Sequence, residues 1–199
     1  MSSKSSRAPA PPPPPPPPPS PAVILAAYVA LGAALSFLAG RQPGTLPDDV
    51  GREVAPAVLV VCGFLVSYSV FDVMAVGVAR ARHRGLMEKP YEDAPQRMPE
   101  DVYLAQRVQT NQVEQLTGFV VGSLSCAVLV DGAAAGLMAL LWAALRRRYA
   151  SAYRGASGVP LGEIGLARYT VPAYFLVNSM LAASAVHALR AIVASSSKD

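Results

Sequence analysis

Apolar residues along this chain come in long, almost unbroken runs, and short charged patches separate them. Runs of this length are not the narrow stripes of a surface helix on a soluble core; they predict helices surrounded by apolar material on most sides. Residues 22–40 carry no charge and are just long enough for one bilayer crossing. Residues 54–79 make a second, longer span with Asp72 inside it, which predicts that this carboxylate faces other helices rather than lipid. Pro99, Glu100 and Asp101 then open a third helix that runs to about Val130, proline suiting a first turn and acids suiting the positive end of the helix dipole. Asp131 and Gly132 break it, and a fourth helix from Ala133 through Tyr153 must double back as a helical hairpin. A fifth follows over residues 166–192, with Pro172 and Asn178 inside it. Loops are predicted over 41–56, 83–99 and 155–162, where Pro, Gly and mixed charges gather.

The third helix departs from the apolar pattern. Arg107, Asn111 and Glu114 are spaced by four and three, so they share one helical face, and Gly118 and Ser125 continue the stripe. A charged group inside a bilayer costs roughly 3 kcal/mol unless a partner or a wet cavity compensates it. Arg107 and Glu114 stand about 10 Å apart along the axis, too far to serve one another. Either neighbouring helices satisfy them, or the stripe lines a cleft for an elongated ligand that carries carboxylates and an amine.

Composition narrows the chemistry. The chain of 199 residues is 52% hydrophobic and 15% charged, an integral membrane protein rather than a soluble domain. Its two cysteines, Cys62 and Cys126, sit inside apolar runs and are expected to be small buried hydrophobes, which leaves no disulfide framework and no zinc knuckle. Two distant histidines and the absence of HExxH, P-loop or GxGxxG elements leave metal and nucleotide chemistry without support. The net charge of +4 gathers near helix ends, which points to membrane orientation rather than to nucleic acid. With five spans, Arg41, Arg52, Arg190 and Lys198 fall on one side and the other 13 of the 17 basic residues on the opposite side, predicted to be cytoplasmic. Residues 1–21 include an unbroken proline run from Pro11 to Pro19 and read as a disordered, extended tail. A tail of that length and kind is no signal-peptide n-region, so 22–40 is expected to be an uncleaved helix. Gly118 with Gly122, and Gly132 with Gly136, have the GxxxG spacing that lets helices approach closely.

The run Arg107-Val108-Gln109-Thr110-Asn111-Gln112-Val113-Glu114 resembles the R-x-x-x-N-x-x-E signature of the membrane-associated proteins in eicosanoid and glutathione metabolism, the MAPEG family. The order of the surrounding parts is similar too: Val78 to Arg82 closing the preceding helix, the hairpin from Asp131 to Ala135, and Arg146-Arg147-Arg148-Tyr149 followed by Tyr153. Within the family the chain is most similar to type 3 microsomal glutathione S-transferase and the cysteinyl-leukotriene synthase. The resemblance implies an all-α membrane fold: a four-helix bundle over 54–192, preceded here by one extra N-terminal transmembrane helix at 22–40. It also implies a homotrimer in an endoplasmic-reticulum or other organellar membrane, with glutathione as co-substrate bound between subunits. Carried over by position, Arg107 would hold a glutathione carboxylate, Asn111 and Glu114 its polar backbone and amine, Tyr149 and Tyr153 would bond from the facing wall, and Arg80 or Arg82 would close the cleft.

One part of the pattern is missing. A thiol needs a nearby cation to become a thiolate at neutral pH, and relatives place an arginine shortly after the tyrosine pair. Residues 155–162 contain none; Arg154 and Arg168 flank the gap. Thr117 and Gly118 also stand where the family often has proline, and Gln115 where it often has an aromatic residue. The resemblance therefore implies a membrane glutathione transferase or peroxidase for a lipophilic small-molecule substrate, an electrophile or lipid hydroperoxide arriving from the bilayer. The alternative is a catalytically silent subunit of a larger membrane assembly. A third reading, an adaptor that binds lipid without glutathione, fits the retained Arg107 and Glu114 less well.

Overall fold

The computed structural model describes residues 48–83, 98–159 and 163–196, with a few scattered positions between 20 and 30. The proline tail lies outside the described residues, and the extra first helix lies almost wholly outside them. Four helices remain, and no strand occurs among the described residues. Helix α1 runs over Asp48–Tyr68, passes through a π-helical turn at Ser69–Val73 and continues over Met74–Arg82. Helix α2 spans Glu100–Leu129, α3 spans Gly132–Arg154 and α4 spans Ala167–Ser196. Segments Glu53–Arg82, Glu100–Leu129 and Ala167–Ser196 are long and apolar enough to cross a membrane. Helix α3 is as continuous as they are, but its second half carries Arg146, Arg147, Arg148 and Arg154.

Two expectations need correction. The loop predicted over 41–56 is already helical from Asp48, so Pro56 lies inside α1. Proline removes one backbone hydrogen bond from a helix, and what Pro56 provides in return is contact with Gly136 of α3. A Cβ built on Gly136 would stand 2.7 Å from the Pro56 Cβ, and one on Gly132 would collide with the Glu53 carbonyl. Here the GxxxG spacing marks an approach of one backbone to another. The second correction concerns Cys62, which is exposed on the outer face of α1, whereas Cys126 is buried as expected.

Gly118 and Gly122 play the same part against α4, where added Cβ atoms would meet Val177 and Leu181 at 3.3 and 3.4 Å. The hairpin between α2 and α3 is closed by Asp131, whose side chain accepts from the Ala134 N–H at 2.6 Å, a helix N-cap. Helices α2 and α3 form the inner pair of the bundle, and α1 and α4 pack on opposite flanks of it. At its centre Phe119 and Trp142 stack with centroids 3.9 Å apart, and Phe64 meets both edge-on at 5.4 and 4.9 Å. Such pairs contribute about 0.5–1.5 kcal/mol each beyond their buried area.

The contact at Gly132 gives a direct test. Gly132→Val forces two backbones apart and should destabilise the protein by about 1–3 kcal/mol, read as a lowered melting temperature in detergent. An unchanged melting temperature would mean that the close approach of α1 and α3 is absent in solution.

Candidate functional site

The site begins with the rotation of α2. Val102, Leu104, Ala105, Val108, Gln112 and Phe119 point into the bundle, while Arg107, Thr110, Glu114 and Thr117 are exposed along one line that Val121 and Val128 continue. Successive members are three, four or seven residues apart, the repeat of one helical face. Gly118 and Ser125, expected to continue the sequence stripe, turn instead toward α4, Gly118 against Val177 and Ser125 with its Oγ donating to Ser184 Oγ at 3.1 Å, so what remains of that stripe is the outer-surface line through Arg107 and Glu114. Asn111 sits at its inner border, half-buried.

Two tyrosines of α3 stand beside this border. Tyr149 and Tyr153 are buried against Leu104 and Val108, with ring centroids 5.6 Å apart. Asn111 Nδ2 donates to the Tyr149 hydroxyl oxygen, and the Arg107 side chain lies beside the Tyr153 hydroxyl. A phenol has one hydrogen to give and two lone pairs to accept with. With an acceptor site of Tyr149 taken by Asn111 and the Arg107 cation beside Tyr153, each hydroxyl keeps its own hydrogen for another acceptor. Together the pair forms a small wall of oriented O–H donors.

Behind that wall lies Arg146, which the sequence reading grouped with its neighbours as a basic helix end. It is 1% exposed. Its Nε donates to Gln112 Oε1 at 2.7 Å, its Nη2 to the Asn111 carbonyl at 2.6 Å, and Gln112 Nε2 returns a bond to the Arg146 carbonyl at 3.3 Å. The guanidinium carbon also lies 4.5 Å from the Tyr149 ring centroid, a cation–π contact. No carboxylate pairs with Arg146 among the described residues. It leaves a fixed positive charge directly behind Asn111 and Tyr149. The signal that could have exposed it is Gln112, a polar residue in line on α2 with the apolar Ala105, Val108, Leu116 and Phe119.

Asp72, expected to face other helices, does so. It is fully buried and pairs with Arg147 and with Arg154, whose Nη1 lies 2.6 Å from Asp72 Oδ1 and 3.2 Å from the Phe71 carbonyl. The π-helical turn at Ser69–Val73 inserts the extra residue that turns this carboxylate inward. Arg154, one of the two arginines flanking the gap after Tyr153, is thus held by α1 instead of reaching along the tyrosine wall. Arg168, the other, is exposed and lies over the Tyr169 ring at 4.8 Å.

The structure brings together Arg107, Asn111, Tyr149 and Tyr153, with Glu114 one turn farther along the same face. It does not bring Arg80 and Arg82 to them within one chain. Both lie in the last turn of α1, and Arg82 stands beside Asp101, Leu104 and Ala105, a side of α2 rotated roughly 100° from the stripe. Among the described residues neither Arg107 nor Glu114 forms an ion pair. No group of three or more His, Cys, Asp or Glu able to hold a metal occurs among the described residues.

Comparison with models of known families matches residues 57–189 to the MAPEG family, more than half of the 199 residues. The chain belongs to the MAPEG family. The matched stretch begins in α1 and ends in α4, so it contains the whole tyrosine wall and the α2 stripe. No curated protein and no solved structure matches the chain. MAPEG membership places it among membrane-associated proteins of eicosanoid and glutathione metabolism, whose members generally use glutathione.

Proposed function

We propose that this MAPEG protein is a membrane-bound glutathione S-transferase or peroxidase for lipophilic electrophiles or lipid hydroperoxides, similar to type 3 microsomal glutathione S-transferase. The observation that carries the reading is the charge pattern on α2. Arg107 and Glu114 lie on an outer helical face, about 10 Å apart along the axis, with no ion-pair partner among the described residues. Facing lipid, such a pair would be costly. Against a second protomer it becomes the floor of a cleft, and the apolar continuation through Val121 and Val128 supplies the protein contact. A homotrimer of this kind puts a neighbouring chain opposite the stripe. Glutathione, with two carboxylates and one amine, then matches Arg107 with one carboxylate and Glu114 with the amine, while Asn111 holds the peptide backbone.

The chemistry follows from the tyrosine wall. A thiolate accepts hydrogen bonds, and the Tyr149 and Tyr153 hydroxyls have hydrogens free to give. The buried Arg146 charge behind them favours an anion on their open side. With an electrophilic carbon, the thiolate sulfur forms the new C–S bond and the leaving group departs with its electron pair. With a hydroperoxide, sulfur takes the terminal oxygen and the alcohol departs; a second glutathione then displaces water to give the disulfide. The setting is an endoplasmic-reticulum or other organellar membrane with the basic loops cytoplasmic.

The competing reading is a silent structural subunit of a larger membrane complex. The arginine missing from residues 155–162, and the engagement of Arg154 by Asp72, favour it. Turnover separates the two. Purified protein in detergent, given glutathione with a chlorodinitrobenzene-type electrophile and separately with a lipid hydroperoxide, should turn over at least one of them. Tyr149→Phe with Tyr153→Phe should lower the rate at least about 100-fold, since one lost transition-state donor already costs about 10²–10³, with the fold intact. No turnover of either substrate supports the structural subunit.

A further inference from the structure

A cavity of about 250 Å³ opens where the end of α1, the start of α2 and the end of α3 converge. Its walls are apolar, formed by Val78, Leu104 and Ala105 among others, and two arginines reach it, Arg82 from the last turn of α1 and Arg154 from the last residue of α3. Asp101 also lines it and is bonded to His83, with Nε2 to Oδ1 at 2.9 Å. The nearby Glu100 is occupied as well, accepting from the Ser157 hydroxyl at 2.9 Å and the Gly158 N–H at 2.7 Å. Both carboxylates at this mouth thus have donors of their own. The arginines differ: Arg82 forms no ion pair among the described residues, and Arg154 uses Nη1 alone for Asp72 and the Phe71 carbonyl. With Arg147 also on Asp72, that buried cluster carries two cations and one anion.

We infer that this cavity is a binding site for the phosphate head of an anionic membrane lipid, separate from the α2 stripe. Three features select this occupant. The cavity lies between helices at one end of a membrane bundle, the level at which head groups stand and where basic pockets between helices take anionic lipids. Guanidinium forks match phosphate oxygens in pairs, which an ammonium does not. The apolar wall beneath the arginines accepts the first carbons below the phosphate, whereas a free phosphate ion would gain nothing from it. Asp72 acts as a positioning residue for the site, since it fixes the Arg154 guanidinium at the cavity rim.

The test is lipid retention by the full chain. Protein purified in a mild detergent is mixed with phosphatidylglycerol, with phosphatidylcholine or with inorganic phosphate, and lipid binding and melting temperature are read by native mass spectrometry and thermal unfolding. Phosphatidylglycerol should bind and raise the melting temperature, and phosphatidylcholine and inorganic phosphate should do neither. Arg82→Gln, which removes an exposed side chain, should weaken phosphatidylglycerol binding about tenfold. Val78→Phe, which fills the cavity without changing charge, should weaken it similarly while leaving the melting temperature without lipid unchanged. Equal binding of phosphatidylcholine, an equal effect of inorganic phosphate, or full binding by both variants would each overturn the assignment. The readout does not involve glutathione, so it stands or falls apart from the transferase reading.

Discussion

Asp72→Ala should destabilise the protein by about 3 kcal/mol, the lower end of what removing one partner from a buried ion pair costs. The carboxylate is fully buried and pairs with two arginines, whose side chains are 27% and 30% exposed. Water can reach the two cations once Asp72 is gone, which keeps the loss from being larger. Two further contacts suffer: Arg147 lies over the Phe64 ring at 5.5 Å, and Arg154 bonds the Phe71 carbonyl. The change should appear as a lowered melting temperature in detergent, with Asp72→Asn intermediate because the amide keeps the shape and one acceptor. A variant that melts with the wild-type protein would show that the π-helical turn, and not the ion cluster, holds α1 to α3.

Arg107→Leu should weaken glutathione binding about 10- to 100-fold, the range expected for losing a hydrogen-bonded charge pair worth about 1.5–3 kcal/mol. Arg107 is exposed, and its place beside Tyr153 is what it gives up within the chain. The melting temperature should therefore hardly move. That separation between affinity and stability marks a ligand-binding arginine. A structural arginine would lose stability and leave affinity alone. Calorimetric titration of wild type and variant, beside their melting curves, reads both.

Much of the fold is legible in the residue pattern because a bilayer imposes long apolar runs. The helix from Glu100, the break at Asp131 and the inward turn of Asp72 all follow from such runs and from the charges that interrupt them. What the pattern hides is rotation. Arg146, Arg147 and Arg148 look alike in the sequence, yet at about 100° per residue they enter three environments. Arg146 goes into the core against Gln112, Arg147 to Asp72, and Arg148 outward. The same limit explains Arg80 and Arg82. Proximity to the α2 stripe in the order of parts does not place them on its face, because α1 meets α2 on the side of Leu104 and Ala105. Pro56 was hidden for another reason: a proline among charges reads as a loop until the glycines of α3 that receive it are known. Within the site, the residues that bear polar groups on one helix were readable from spacing alone. The hydrogen bonds that orient the tyrosines needed two helices in register.

The central claim is that the charged stripe of α2 is compensated by glutathione held between protomers. Native mass spectrometry of the solubilised, glutathione-saturated protein tests it most directly, because assembly and ligand are weighed together. The account predicts a trimer that retains glutathione, up to one for each chain. A chain that assembles otherwise, or a trimer that carries no glutathione at saturation, would contradict it.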